Sequence, residues 1–176
     1  MMERRVVLTA IGADRPGLNR EIAEAVRGAG GNWLQSHLSR MGGLYVGAVL
    51  VAIGEADQPR LEAAVRAIDA SRLTVSVTPA DPTAPPAGRA LHLELVGQDR
   101  PGIVHEVSAT LSALEVNILT LETTIEPTAH SGGALFRAVA ELVAPLSLEP
   151  RRLAEALERI SAEIMADIRL EAAPET

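Results

Sequence analysis

A stretch of this sequence occurs twice, and the duplication limits the fold more than any other feature. The segment GADRPGL at residues 12–18 returns as GQDRPGI at residues 97–103, an offset of 85. Over a window of 23 residues starting at Gly12 and at Gly97, eight positions are identical. The identities beyond the repeated segment include Glu21 with Glu106, and Asn32 with Asn117. Such a repeat predicts one structural unit used twice.

A proline-rich stretch separates the two copies. Four prolines fall within residues 79–88, which is typical of an extended, semi-rigid linker that spans roughly 30 Å. We therefore expect a first domain at residues 1–79, a linker at 80–88 and a second domain at 89–176. The glycine pair at 42–43 aligns with that at 132–133, so the second copy carries about five extra residues near 127–131.

Both copies show the same order of hydrophobic patterns. Leu91, Leu93 and Leu95 alternate with His92 and Glu94, as in a strand with one buried face. Apolar residues then recur at helical spacing in both copies: Leu18, Ile22, Val26 and Ala29, and Ile103, Val107, Leu111 and Leu114. Two further strands, a second helix and a last strand follow. The order βαββαβ, twice, predicts an α+β protein of two ferredoxin-like domains, each an antiparallel sheet with helices on one face.

Open sheet edges or faces need cover, so we expect the two domains to pair. Pairing edge to edge, into one eight-stranded sheet, is preferred over pairing face to face. We also expect a homodimer, on a surface that the sequence does not define.

The composition argues against nucleic acid as a partner. The net charge is −7, and all 16 basic residues are arginines, with no dense basic run. A broad phosphate-binding surface is therefore not expected. RNA-recognition modules share the βαββαβ order but stack bases on aromatic residues of the central strands. This chain has only Trp33, Tyr45 and Phe136, so we expect no direct contact with nucleic acid.

The sequence predicts a cytoplasmic protein. It contains no cysteine, which fits a reducing compartment. No apolar segment reaches membrane-spanning length, and the apolar run at residues 6–11 is too short for a signal peptide. We therefore expect no membrane association.

The repeated segment joins the first strand to the first helix, and each of its residues has a backbone role. Asp14 is expected to cap the helix, Pro16 to lie in its first turn, and Gly17 to let another group approach the backbone closely. The second copy repeats these residues as Asp99, Pro101 and Gly102.

The same turn is also a candidate binding site. Exposed amides at a helix N-terminus bind anions, including carboxylates. Asn32 and Asn117 each begin the next strand, and we expect them at the same edge of the sheet as the turn. A carboxamide accepts a hydrogen bond from an ammonium and donates one to a carboxylate, which suits the head group of an amino acid. The alternative is that Asp-x-Pro-Gly only starts a helix and binds no ligand.

The motif Gly-x-Asp-Arg-Pro-Gly-Leu/Ile, followed by an amphipathic helix and by Asn-Ile/Leu opening a strand, resembles the ACT domain. Two such domains over residues 4–171 resemble the glycine cleavage system transcriptional repressor family. The resemblance implies that a small amino acid, glycine or serine, binds near the turn at an inter-domain interface. It also implies that the protein holds back a LysR-type transcriptional activator without touching DNA, and it implies no cofactor. The ligand-binding candidates it implies are Asp14, Arg15, Pro16, Gly17, Leu18 and Asn32, with Asp99, Arg100, Pro101, Gly102, Ile103 and Asn117.

No pattern for catalysis or metal binding accompanies these motifs. The four histidines, His37, His92, His105 and His130, lack metal-ligand spacing, and the serines lack a nucleophile-elbow context. Formyltetrahydrofolate deformylases begin with a similar module, but they need a catalytic domain after it. The chain ends at Thr176 after its second copy, so we expect no enzyme.

The sequence leaves two positions open for Trp33, which lines an interface or belongs to a core. Helix carboxylates such as Glu21, Glu24, Glu155 and Glu158 are expected on a solvated face. The alternative function is a protein-interaction module without a ligand, pairing with an enzyme or a regulator.

Overall fold

The computed structural model describes residues 3–68, 72–80, 87–127 and 133–173. The chain divides into two compact units, Met1–Thr83 and Ala84–Thr176. Most of the predicted linker, residues 81–86, lies outside the described ranges, as do the predicted insertion at 128–131 and with it His130.

The first unit has the predicted order of elements. They are β1 (Glu3–Ala13), α1 (Leu18–Gly28), β2 (Asn32–Met41), β3 (Leu44–Gly54), a short 3-10 turn (Glu55–Asp57), α2 (Gln58–Arg66) and β4 (Leu73–Pro79). Gly42 and Gly43 separate β2 from β3, and both have positive φ angles, 58° and 87°. The predicted break at this glycine pair is confirmed.

The second unit repeats this order. Its elements are β5 (Arg89–Gln98), α3 (Ile103–Ala113), β6 (Asn117–Pro127), β7 (Ala134–Ala144), α4 (Pro150–Ile164) and β8 (Ala166–Ala172).

Each unit contains one four-stranded antiparallel sheet. The strand order is β2-β3-β1-β4 in the first unit and β6-β7-β5-β8 in the second. The first strand of each copy therefore lies inside its sheet, while β2 and β6 lie at an edge. This is the ferredoxin-like α+β arrangement, and the fold prediction is confirmed.

The cores form where alternating strand residues meet the apolar stripes of the helices. In β1, Val6, Leu8 and Ala10 are at most 3% exposed and pack with the α1 stripe that includes Ile22 and Val26. The second unit repeats this with Leu91, Leu93 and Leu95 against α3 and α4. One face of each sheet is thus buried by both helices, and no described polar or charged residue is buried.

No helix in the described part of the chain is long and apolar enough to cross a lipid bilayer.

Candidate functional site

Both turns of the repeated segment place a glycine in the left-handed region directly before the helix. Gly17 has φ 93° and ψ −6°, and Gly102 has φ 97° and ψ −10°. Each glycine is the N-cap residue, and no side chain caps α1 or α3. The first amides of each helix therefore lack both an intrahelical acceptor and a capping side chain.

Two backbone predictions for this turn were wrong. Asp14 does not cap α1, because the helix begins three residues later than a capping aspartate requires. Pro16 precedes the N-cap glycine instead of lying in the first helical turn. Asp99 and Pro101 occupy the same places in the second unit.

The arginine of each turn forms an ion pair with a glutamate of the helix that follows. Arg15 donates from both terminal nitrogens to the two carboxylate oxygens of Glu21, each at 2.7 Å. Arg100 makes the same two-pronged contact with Glu106, with Nη1 at 3.1 Å from Oε1. Bidentate pairs of this kind fix geometry as well as charge, so each turn is fastened to its helix.

The prediction that Glu21 belongs to a solvated face was therefore wrong. Its side chain is only 29% exposed and is held by Arg15. The signal was present in the sequence, because Glu21 and Glu106 are among the few identities of the repeat outside the turn itself.

These pairs keep both carboxyl groups ionised. Hydrogen bonding from Arg15 lowers the pKa of Glu21, and hydrogen bonding from Arg100 lowers the pKa of Glu106. The same bond raises the pKa of Arg100. Each helix start thus carries a fixed negative charge near its amides, neutralised by the arginine beside it.

The two asparagines do not lie at the turns of their own units. Asn32 is opposite Ala52, which in turn is opposite Arg5, near the beginning of β1. The turn follows Ala13, at the other end of that strand. Eight residues of strand separate the two levels, which amounts to about 26 Å.

Asn117 is displaced in the same way, because it is level with Ala90 through Val143. The prediction that the asparagines and the turns share one edge within a unit was wrong.

The first turn has polar surroundings. Asp14 accepts from Arg40 of β2, with Oδ2 3.1 Å from Nε. Tyr45 of β3 donates its hydroxyl to Asn19 of α1 at 2.8 Å. Burial raises the pKa of Tyr45, and the negative charge of Asp14 adds to the effect. Tyr45 therefore stays a neutral donor beneath the turn.

Trp33 also belongs to the first unit's interior. It is partly buried and packs against the core cluster beneath α1. Of the two readings of this residue, core packing is the one observed within the unit.

The second turn opens onto a cleft of about 480 Å³. Its lining combines the turn, the start of α3, and one residue each from β6 and β7: Asp99, Arg100, Gly102, Ile103, Val104, His105, Ser108, Ile125 and Phe136. Four of the six candidate residues in this unit thus line one cleft: Asp99, Arg100, Gly102 and Ile103. Asn117 is not among its lining residues.

Within the described ranges, no group of three or more histidine and acidic side chains is placed to hold a metal ion.

Comparisons with known proteins agree with the fold. The family model of the ACT domain matches residues 4–78. An unknown protein from Galdieria sulphuraria has a solved structure with TM-score 0.82 and 29% identity, covering 98% of this chain and 100% of that one. The structure of a protein proposed to be a glycine cleavage system transcriptional repressor has TM-score 0.74 and 16% identity, covering 99% and 100%.

A formyltetrahydrofolate deformylase from Pseudomonas syringae pv. tomato matches over only 51% of this chain and 29% of its own length, at 25% identity and TM-score 0.42. No curated protein sequence matches the chain significantly.

Proposed function

We propose that this chain is an amino-acid-responsive regulatory protein made of two ACT-like units, since the ACT domain family model matches its first unit and its second unit has the same fold. The ligand is an amino acid bound without chemical change at the turns that begin α1 and α3, and a small amino acid, glycine or serine, is the ligand of the first turn. The output is repression of glycine cleavage gene expression, through a protein partner and in the cytoplasm.

The observation that carries the proposal is the repeated, uncapped helix start. A helix N-terminus without a capping side chain presents amides to an anion, and the glycine before it leaves no Cβ in the way. Arg15 and Arg100 are held beside these amides by Glu21 and Glu106. A ligand carboxylate would meet both amides and a guanidinium there.

Asn32 and Asn117 lie about 26 Å along the sheet from the turns of their own units. The proposed site at each turn therefore does not include the asparagine of the same unit.

The charge of the chain supports regulation through a protein partner rather than through DNA. A net charge of −7 without any lysine opposes binding to DNA phosphates. All helix pairs in the described parts are separated by at least one strand, so no helix-turn-helix is present there. We therefore propose that the chain controls transcription by occupying another protein, a LysR-type activator.

One observation favours a second candidate function. Glu21 and Glu106 already place a carboxylate near each helix start, and an arginine neutralises it. A turn that satisfies its own charges could serve only to fix the helix, in a protein-interaction module that binds no amino acid.

Isothermal titration calorimetry with a panel of amino acids separates these functions. We expect saturable binding of glycine or serine to the full chain. Replacing Arg15 by Ala should weaken that binding at least tenfold, since it removes the cation that faces the carboxylate. The matched control is Arg20→Ala, which removes an exposed arginine of α1, the helix that follows this turn. Flat titrations across the panel up to millimolar concentration would leave the interaction module as the function.

A further inference from the structure

The two turns have the same backbone but different neighbours. Arg40 of β2 lies opposite Tyr45, and the same place in the second unit pairs Ile125 of β6 with Phe136. On the helix, Asn19 of α1 corresponds to Val104 of α3, two residues after the N-cap glycine in each case. Those three positions are apolar only in the second unit: Val104, Ile125 and Phe136.

The difference between Arg40 and Ile125 changes the ion pairing of the aspartate in the turn. In the first unit Asp14 is paired with Arg40 at 3.1 Å. Ile125 stands in the place of that arginine, and in the described part of the chain no cation is within ion-pair distance of Asp99. Among the described residues, the Asp99 carboxylate thus has no ion partner.

Two of these three apolar residues are open to solvent. Ile125 is 60% exposed and Val104 is 42% exposed, while Phe136, opposite Ile125, is buried. All three line the cleft of about 480 Å³ that also contains Asp99 and Arg100. This volume is in the range of small-molecule sites, which combine apolar walls with a few convergent polar groups.

The lining of the cleft therefore combines charged and apolar groups. Asp99 is a partner for an ammonium, while Arg100 and the first amides of α3 are partners for a carboxylate. The apolar residues would remove a hydrocarbon side chain from water. The polar groups at the first turn offer no such apolar lining.

We propose that the two units bind different amino acids, and that the second turn takes an α-amino acid with a large apolar side chain, such as leucine. This rests on the proposed function, because it assigns a ligand class to one of its two sites. The first turn, with Asn19, Arg40 and Tyr45 around it, keeps the small ligand. The chain would then report on two amino acids rather than on one.

Calorimetry on the full chain tests the proposal with leucine, glycine and serine as probes. Leucine should bind at least tenfold more tightly than glycine at the second site, and saturating glycine should leave leucine binding in place. Ile125→Arg recreates the neighbour that Asp14 has, giving Asp99 an internal ion partner and interrupting the apolar lining. We expect it to weaken leucine binding at least tenfold and to leave glycine binding unchanged.

The matched control is Thr124→Arg, which adds the same charge one residue away on the opposite face of β6, between Glu122 and Glu126. It should bind leucine like the unmodified chain. A gain-of-function variant, Arg40→Ile, releases Asp14 and should allow leucine to bind at the first turn. Ile125 and Thr124 are both exposed, so thermal unfolding should show that each variant remains folded.

The outcomes separate this proposal from the one on which it rests. Glycine or serine binding without leucine binding would overturn the second-site proposal and leave the proposed function standing. Leucine binding that Ile125→Arg does not weaken would place the ligand elsewhere and also overturn it. Flat titrations with all three amino acids would remove both.

Discussion

Glycine at positions 17 and 102 is required by backbone conformation rather than by lack of space. A Cβ added to Gly17 would meet only Glu21 Oε1, at 3.7 Å. Its φ of 93°, however, lies where L-residues are strained, and Gly102 has the same conformation. A substitution at either position therefore acts through strain. Gly17→Val, which adds a branched Cβ, would combine any effect on binding with a loss of stability.

We expect Gly102→Ala to lower the free energy of unfolding by about 1–2 kcal/mol, the usual cost of the left-handed region for an L-residue. The measurement is chemical denaturation of the full chain, following the second unit's transition. Gly28→Ala is the matched control, because Gly28 is a helical residue with open space around its Cβ position. It should stabilise the first unit by about 0.5–1 kcal/mol. Equal effects of the two substitutions would show that the turn is not strained.

A different constraint explains the glycine that opens the repeated segment. A Cβ on Gly12 would come within 2.1 Å of the Arg72 carbonyl oxygen, and one on Gly97 within 2.5 Å of Ala166 Cβ. The sequence predicted that these residues matter, because they repeat. The sequence did not show that Gly12 and Gly97 are needed because β4 or β8 comes close, whereas Gly17 and Gly102 are needed for their φ angles. That distinction depends on which strand packs against each glycine.

The prediction that Asp14 caps α1 was wrong for a similar reason, because the choice of cap depended on a contact with another strand. Asp, Pro and Gly in one short segment offer two N-cap candidates, because both Asp and Gly are favoured there. In the structure Asp14 contacts Arg40, a residue of the following hairpin. The sequence therefore predicted the turn and the helix, whereas the choice of cap depended on a contact that no local pattern encodes.

At the scale of elements, the spacing of hydrophobic residues predicted which faces of the strands and helices are buried. The alternation of Leu91, Leu93 and Leu95 and the helical stripes faced the cores as expected. The position of Asn32 did not follow from period, because it depends on the pairing of β2 with β3 and on the bulge between Trp33 and Gln35. Strand register is a long-range property, so a residue at a strand start is not thereby near a given turn.

The open face of the second sheet carries a histidine among carboxylates. His92 of β5 lies opposite Glu141 of β7 and Glu171 of β8, with Glu94 two residues along its own strand. The Nδ1 atom of His92 is 2.8 Å from Glu141 Oε1, and its Nε2 atom is 3.5 Å from Glu94 Oε1. The hydrogen bond with Glu141 is the main cause that raises the pKa of His92.

The raised pKa predicts a pH dependence with a definite sign. The protonated histidine is favoured in the folded state, so its stabilising contribution is complete below the ordinary histidine pKa of about 6.5. It is lost as the pH rises through the higher pKa of the folded state. Glu141→Gln should lower the His92 pKa in an NMR titration and should destabilise the chain more at pH 6 than at pH 9.

Glu155→Gln is the control for that comparison, because Glu155 pairs with Arg151 on the exposed side of α4. It should leave the His92 titration unchanged. A His92 pKa at or below the ordinary value in the unmodified chain would contradict the prediction.

At the scale of the whole molecule, the duplication preserved a backbone and changed the chemistry around it. Both units keep the left-handed glycine and the arginine–glutamate pair. Around the second turn, apolar residues replace the polar ones that surround the first. This divergence of the lining on a retained scaffold is what the proposed binding of two different amino acids requires.

The proposed regulation makes a prediction that binding measurements alone can test. A ligand changes an equilibrium only by its different affinity for the two states. If glycine changes the affinity of the chain for a LysR-type activator tenfold, the coupling free energy is about 1.4 kcal/mol.

Thermodynamic linkage then requires the activator to change the affinity for glycine by the same factor and in the same direction. We expect glycine titrated into the preformed complex to give a dissociation constant about tenfold different from that of the free chain. The factor should match the one found when the activator is titrated with and without glycine. Because Arg15 is proposed to hold the glycine carboxylate, Arg15→Ala should abolish the coupling while the activator still binds. Equal glycine affinities for the free chain and for the complex would exclude glycine as the signal, even if the complex forms. Tight, sequence-specific DNA binding by the chain alone would exclude the partner mechanism itself.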